Sequence, residues 1–200
     1  MSPRPDVSEE RQEQIVQAAT EVFTKKGFNN ASMSDIANET GLGKGTLYLY
    51  YRSKDDLIIA VLDHIFQRDF LEIDELAIAQ ISAAEGIRRF ADIVTADASA
   101  MRQLIPITYE FLSLAFRNPV VQQTLQQYFQ RYMNMLLSII RHGIQTGEFR
   151  PVNAEEVAIA VGAIFEGTIL LSAYDESKVD VSHHIHSSIE LLLDGLLAPI

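Results

Sequence analysis

Apolar residues recur at intervals of three and four along most of this 200-residue chain. Ile15, Ala19, Val22 and Phe23 share one face of a helix at this spacing. From Ile73 onward the pattern is helical throughout, and the apolar–polar alternation typical of a half-buried strand is not found. The sequence therefore predicts an all-α protein of about nine helices.

Proline, glycine and capping residues set the predicted boundaries of these helices. The residue before a proline avoids the α region, so Asn118-Pro119 separates two helices. Asn153 and Ser53 are predicted N-caps, because each precedes a helical pattern by one residue. The predicted helices span about 8–26, 33–39, 44–51, 54–72, 85–96, 102–116, 120–143, 153–174 and 182–197.

Two short helices joined by a tight turn are predicted over residues 32–51. Ser32 and Asp35 have the spacing of a capping box, and Gly41 is suited to the left-handed conformation of a helix end. The next helix begins at about Lys44. Two helices with a glycine-containing turn of three or four residues form a helix-turn-helix, whose second helix enters the DNA major groove.

The same stretch resembles the TetR family of bacterial transcriptional regulators. The family commonly has Val-Ser where this chain has Leu42-Gly43, and Phe in place of Tyr51, so no side-chain role is transferred to Gly43. The resemblance covers about a quarter of the chain. It rests on Ala18-Ala19, Val22-Phe23, Gly27-Phe28, Asp35-Ile36-Ala37, Gly41-Leu42-Gly43-Lys44-Gly45-Thr46-Leu47-Tyr48 and Tyr50-Tyr51-Arg52-Ser53-Lys54-Asp55-Asp56-Leu57.

The resemblance implies a DNA-binding domain over residues 8–54, with the helix-turn-helix at about 32–51, and an effector-binding and dimerisation domain over 55–200. It implies a cytoplasmic homodimer that binds palindromic double-stranded operator DNA as a repressor and is released by a small-molecule effector. An activator of the same fold is the alternative, since the sign depends on operator position. An enzyme or an adaptor without DNA binding is the other class considered. We expect no enzyme, because no nucleophile elbow, phosphate-binding loop or dinucleotide fingerprint is found.

Side chains around the second helix are predicted to contact DNA. Lys44 and Lys54 are candidate phosphate cations, and Gly45 permits close approach of the backbone. The hydroxyls on the outward side can bond phosphates or base edges, and Leu47 and Tyr51 are assigned to the core. The predicted DNA contacts are Ser32, Lys44, Gly45, Thr46, Tyr48, Tyr50 and Lys54.

The distribution of charge fits this assignment better than the total of −11 does. Residues 1–55 carry seven basic and eight acidic side chains, whereas residues 56–200 carry nine and nineteen. Local charge is what a phosphate meets, so an acidic body does not exclude a nucleic-acid partner. There is no cysteine, and no uninterrupted apolar run reaches the roughly 18 residues of a membrane span. No membrane partner is expected.

Apolar stripes on the last two helices predict a four-helix interface between two copies of the chain. Gly162, Ala163 and Gly167 broaden the first stripe and permit close approach of a partner helix. The alternative is that both stripes belong to the internal core. The predicted interface residues are Val157, Val161, Ile164, Phe165, Thr168, Leu171, Ile185, Ile189, Leu192 and Leu196.

Members of the family that the chain resembles hold a small-molecule effector among their middle helices. The resemblance therefore implies that aromatic and polar side chains of these helices line a pocket. The alternative is that the aromatic and Met side chains belong to the ordinary core. Glu110 and Glu166 are carboxylates in apolar stretches, and burial would require a partner such as a cationic effector. No cofactor or metal is expected, since the adjacent His183 and His184 cannot share a helical face. The pocket candidates are Phe66, Phe90, Met101, Arg102, Tyr109, Glu110, Phe116, Tyr128, Tyr132, Met133, Phe165 and Glu166.

Overall fold

The computed structural model describes the backbone of residues 7–77, 81–96 and 98–198, and the side chains of residues 8–66, 81–96 and 105–198. Within these residues there are nine helices and no strand, which confirms the all-α prediction. The helices are α1 (Val7–Asn30), α2 (Met33–Thr40), α3 (Lys44–Tyr50), α4 (Lys54–Ala77), α5 (Ala83–Thr95), α6 (Ala98–Ala115), α7 (Pro119–Thr146), α8 (Ala154–Tyr174) and α9 (Val181–Leu196).

The chain forms two compact units that alternate along the sequence. Unit 1 consists of Met1–Arg68 and Pro106–Thr124, and unit 2 consists of Asp69–Ile105 and Leu125–Ile200. The second division falls at Pro106, which lies inside α6 rather than near its start. The predicted functional boundary between residues 54 and 55 does not coincide with these compact units and stays a prediction.

The core of unit 1 is built on an aromatic contact chain. Phe23 and Phe28 have ring centroids 4.7 Å apart, and Phe28 and Phe111 of α6 have centroids 4.5 Å apart. Ile36 of α2 and Leu47 of α3 are completely buried. Because these side chains lie on four helices, their burial fixes α2 and α3 on α1 and confirms the predicted core of the helix-turn-helix.

The core of unit 2 is centred on Phe90 of α5. Its ring lies 5.0 Å from Phe165 of α8 and 6.0 Å from Tyr132 of α7, in edge-on geometries that aromatic pairs prefer. At the end of α7, a Cβ on Gly143 would lie 2.5 Å from the Phe149 ring and 2.6 Å from Ala83. Only glycine therefore fits where α5 and α7 meet.

Helices α8 and α9 bury most of the residues that were predicted to form the dimer interface. Ile164 and Leu192 are half-buried, and Leu171 is exposed. The remaining seven pack inside their own chain, as the core alternative expects, and their contact with a second copy stays a prediction. Apolar residues surround α8 on all sides, so spacing alone cannot distinguish its inner face. The seven are Val157, Val161, Phe165, Thr168, Ile185, Ile189 and Leu196.

A second apolar face on α8 is exposed. Ile159, Ala163 and Leu170 are exposed and share one stripe with Glu166. Although the Glu166 side chain is exposed, the atoms around it desolvate its carboxylate and raise its pKa. By length and composition α8 could cross a membrane, and 28% of its apolar window is buried in the chain. A single helix of this kind is weak evidence for a membrane span, because the core helix of a globular protein passes the same test.

Two polar contacts join α5 to α9 within unit 2. The Arg88 guanidinium donates to both carboxylate oxygens of Glu190, at 2.7 and 2.9 Å. His186 Nε2 lies 2.8 Å from Asp92 Oδ1, and its Nδ1 lies 2.7 Å from the Ser182 carbonyl oxygen. Two acceptors suit an imidazolium with two N–H donors. Asp92, and then Ser182, therefore raise the pKa of His186.

This contact predicts a small loss of stability as pH rises. A raised pKa means that the full contribution is present below the ordinary histidine pKa of about 6.5 and is lost as pH passes through the folded value. The pair is largely exposed, so we expect less than about 1 kcal/mol. Urea unfolding of the wild type and Asp92→Ala from pH 5 to 8.5 checks this. The two should differ most at pH 5, and an equal difference at every pH would contradict it.

Candidate DNA-binding site

The turn between α2 and α3 is fixed by local hydrogen bonds. The Ser32 hydroxyl accepts from the Asp35 N–H at 3.2 Å, and Asp35 Oδ2 accepts from the Ser32 N–H at 2.9 Å. Gly41 ends α2 with φ +68°, a left-handed conformation that glycine adopts without strain. The predicted capping box and glycine stop are both confirmed.

Asp35 also ties α2 to α1. The Lys26 ammonium lies 2.7 Å from Asp35 Oδ1. This contact and the two donors of Ser32 lower the pKa of the Asp35 carboxyl to about 2. Ser32 is exposed while serving as the N-cap. Its contact with DNA stays a prediction.

Helix α3 has one buried and one exposed side. Leu47 is completely buried, whereas Lys44 and Gly45 are exposed and Tyr48 is 43% exposed. Thr46 and Tyr50 are half-buried, as is Tyr51, where burial and then the charge of Asp63 raise the phenol pKa. The polar groups predicted to face DNA therefore differ in how far they reach into solvent. The side chain that reaches furthest, Leu49 at 84% exposed, was absent from the prediction because it is apolar.

Lys54 has a role that the sequence did not predict. Its ammonium donates to the Phe28 carbonyl oxygen and, at 3.0 Å, to the Ala31 carbonyl oxygen. Two of its three N–H donors are therefore used on carbonyls at the end of α1, where the helix itself supplies no partner. One N–H of the ammonium remains, so the predicted phosphate contact of Lys54 stays a prediction. Arg52 is a further candidate, because it is exposed and no ion pair is found for it among the described residues.

Loss of the Lys54 ammonium should therefore lower stability in the absence of DNA. Hydrogen bonds from a charged donor contribute about 1.5–3 kcal/mol, so Lys54→Met should lower Tm by several degrees. Thermal unfolding measures this, with Lys44→Met as the matched variant that should leave Tm unchanged. A normal Tm for Lys54→Met, together with a reduced salt dependence of DNA binding, would show that Lys54 contacts phosphate and does not stabilise the fold.

Glu110 is held at the end of α1. A carboxylate oxygen of Glu110 accepts from the Phe28 N–H, and a Cβ on Gly27 would lie 2.5 Å from Glu110 Oε1. Gly27 itself has φ +72°, a backbone conformation that favours glycine. Phe28 thus bonds to α6 through its N–H and to α4 through its carbonyl. Glu110 has a hydrogen-bond partner within unit 1, and its assignment to an effector pocket stays a prediction.

The other pocket candidates divide between the two units. Phe66, Tyr109 and the 88%-exposed Phe116 belong to unit 1, and a side chain as exposed as Phe116 lines no pocket in the isolated chain. The side chains of Met101 and Arg102 lie outside the described residues. Glu166 lies on the exposed stripe of α8. Unit 2 holds the remaining candidates, which are Phe90, Tyr128, Tyr132, Met133 and Phe165.

Family models match the chain over two stretches. Residues 15–61 match the model for bacterial regulatory proteins of the tetR family, and residues 83–196 match the C-terminal model for BetI-type transcriptional repressors. The chain belongs to the TetR family. The first match contains α2 and α3, so they are the helix-turn-helix of this TetR-family protein.

TetR-family relatives align over nearly the whole chain. The fatty acid metabolism regulator protein of Bacillus subtilis strain 168 is 28% identical, over 92% of this chain and 94% of the relative. FadR from Bacillus subtilis in complex with stearoyl-CoA has a TM-score of 0.76 and 25% identity, over 92% of this chain and 98% of that one. A Saccharomonospora viridis protein in complex with choline has a TM-score of 0.84, over 96% of this chain and 100% of that one, but at 20% identity it shows the fold alone. The curated relatives are transcriptional regulators and not enzymes.

Proposed function

We propose that this chain is a homodimeric repressor that binds a palindromic operator and is released by a small-molecule effector. The observation that supports this most is the exposed side of α3. Lys44, Gly45 and Tyr48 are presented to solvent there, while Leu47 holds the helix on its core. The second helix of a helix-turn-helix uses such a face in the major groove.

The charges around α3 favour a phosphate partner. Lys44 and Arg52 are exposed, and no ion pair is found for either among the described residues. Lys25 and Lys26 are instead paired with Glu21, Glu39 and Asp35. These two cations lie at the start of α3 and just after its end, where they can bond the phosphates on either side of a groove.

A second copy of the chain is proposed to cover the outer face of α8. Ile159 and Leu170 are exposed there, and a Cβ on Gly162 or Gly167 would meet no atom within 4 Å, so a partner helix can approach closely. Leu191 of α9 is also exposed. One α3 is too small to specify an operator, and a dimer presents two at half-sites about 34–36 Å apart, or slightly more.

The aromatic cluster of unit 2 is the proposed effector contact. In this cluster the Phe90 ring packs edge-on against the rings of Tyr132 and Phe165. The buried Met133 follows Tyr132 on α7. Such rings attract quaternary ammonium groups such as the choline bound by the Saccharomonospora protein. They also suit apolar chains such as that of the stearoyl-CoA bound by FadR. Both classes are candidates here.

Phe28 is the proposed point at which α6 and α4 are coupled. Glu110 of α6 bonds its N–H, and Lys54 at the start of α4 bonds its carbonyl. A ligand that displaces α6 would act on Phe28 and thereby on α4, four residues after the end of α3. Operator and effector must then weaken each other's binding by the same factor.

Binding to duplex DNA over a salt series tests this function. The wild-type protein and a labelled random-sequence duplex, measured by fluorescence anisotropy, should give an affinity that falls steeply and linearly on logarithmic axes. Choline and a long-chain acyl-CoA are then added separately to the complex formed on the selected operator. Release of the protein from DNA by one of these compounds would support that chemical class as the effector. No affinity for DNA at low salt would remove the proposed function.

A further inference from the structure

Leu49 is the most exposed large side chain of α3. It is 84% exposed, about twice the fraction of Tyr48, although it is the less polar of the two. Single exposed leucines are common on protein surfaces and need no explanation by themselves. The position of this one, on the helix that meets DNA in the proposed function, is what gives it meaning.

Leu49 lies at the centre of the outward face of α3. It follows the completely buried Leu47 by two residues, which is a rotation of about 200° around the helix axis. Gly45 lies one turn earlier on the same side, and a Cβ there would meet no atom within 4 Å. The helix backbone can therefore approach the groove closely, with Leu49 pointing at its floor.

The polar side chains of α3 flank Leu49. Lys44 and Tyr48 lie on one side of it, and Thr46 and Tyr50 lie on the other and are half-buried. Groups on the flanks of an inserted helix lie nearer the phosphates at the walls of the groove, although a long side chain such as Tyr50 can also reach a base edge. The centre of the face meets base edges, and the apolar group on the major-groove floor is the C5-methyl of thymine.

We propose that Leu49 is a specificity residue that recognises a thymine methyl group in each half-site of the operator. This inference rests on the proposed function. The leucine has no hydrogen-bond donor or acceptor, so a cytosine or guanine edge beneath it would lose hydration without gaining a partner. Leu49 thereby both favours thymine and disfavours G·C pairs at one position.

Replacement of thymine by deoxyuridine tests the contact, because it removes the methyl group and leaves base pairing unchanged. The probe is the operator duplex selected by this protein, with each thymine of a half-site replaced in turn. Wild-type affinity should fall about fourfold at one thymine, the factor expected for one buried methyl group, and about fifteenfold when both half-sites carry the change.

The same duplexes are then measured with variants of Leu49. Leu49→Ala should bind the thymine duplex and the deoxyuridine duplex with equal affinity. Two control variants should keep the difference in affinity. They are Leu49→Met, which keeps an apolar side chain, and Phe116→Ala, which removes an exposed apolar side chain elsewhere in unit 1. An equal deoxyuridine effect in wild type and Leu49→Ala, no effect at any thymine, or a selected half-site without thymine would overturn the inference while leaving the proposed function intact. Failure to bind any duplex would remove the proposed function and the inference together.

Discussion

Lys44→Ala is expected to weaken binding to every DNA duplex, whatever its sequence. Lys44 is exposed at the start of α3, and no ion pair competes for it among the described residues. A lysine that bonds a phosphate contributes about 1 to the slope of log affinity against log salt, so a dimer should lose about 2. At low salt we expect a loss of at least tenfold on operator and random duplexes alike.

Tyr50→Ala provides the contrast to this result. Its hydroxyl is predicted to reach a base edge, so its loss should reduce the penalty for one mismatched base pair, which is typically about 1–3 kcal/mol. The salt slope should stay close to that of the wild type. Lys178→Ala is the control for Lys44→Ala. It removes one positive charge from an exposed lysine between α8 and α9, and it should leave DNA binding unchanged. Normal binding by both Lys44→Ala and Tyr50→Ala would exclude α3 from DNA recognition.

Ile159→Glu is expected to separate the proposed dimer into monomers. Ile159 is 57% exposed on the apolar stripe of α8, and two copies of a new carboxylate would be buried there beside Glu166. An uncompensated buried charge costs about 3–5 kcal/mol, so even one carboxylate should raise the dimer Kd by about two to four orders of magnitude. Sedimentation velocity at micromolar protein should show the monomer mass, and operator affinity should fall because each half-site is then bound alone.

Val120→Glu is the matched control for this substitution. Val120 is also β-branched and 56% exposed, but it lies at the start of α7 in unit 1. A carboxylate in a first helical turn is favourable, so the variant should fold and remain dimeric. A dimeric Ile159→Glu protein would show that another surface joins the two copies.

The helix-turn-helix could be predicted from the sequence because its determinants are local. Ser32 and Asp35 are three residues apart, Gly41 sets its own backbone angle, and Leu47 lies one helical turn before Tyr51 on the side of α3 that was assigned to the core. Each acts through neighbours in the sequence, which the chain order fixes. Capping, turn and burial all followed, and the structure confirms them.

Three features could not be predicted, each for a physical reason. Lys54 bonds carbonyls more than twenty residues away, and spacing does not indicate such a partner. On α8 apolar residues occupy every side, so its inner and outer faces differ only through packing against α9 and α5. Leu49 is apolar, so the polarity of its side chain does not indicate a DNA contact. Its exposure, which only the structure shows, does.

The most direct test of a dimeric DNA reader is selection of bound sequences from a random duplex pool at near-physiological salt. The proposed function predicts enrichment of two inverted half-sites whose centres lie about one helical turn apart or slightly more, with Lys44→Ala recovering few sequences. That site would also supply the operator for the effector and deoxyuridine experiments. Recovery of no enriched sequence, or of a single half-site without its inverted copy, would contradict the dimeric helix-turn-helix mechanism.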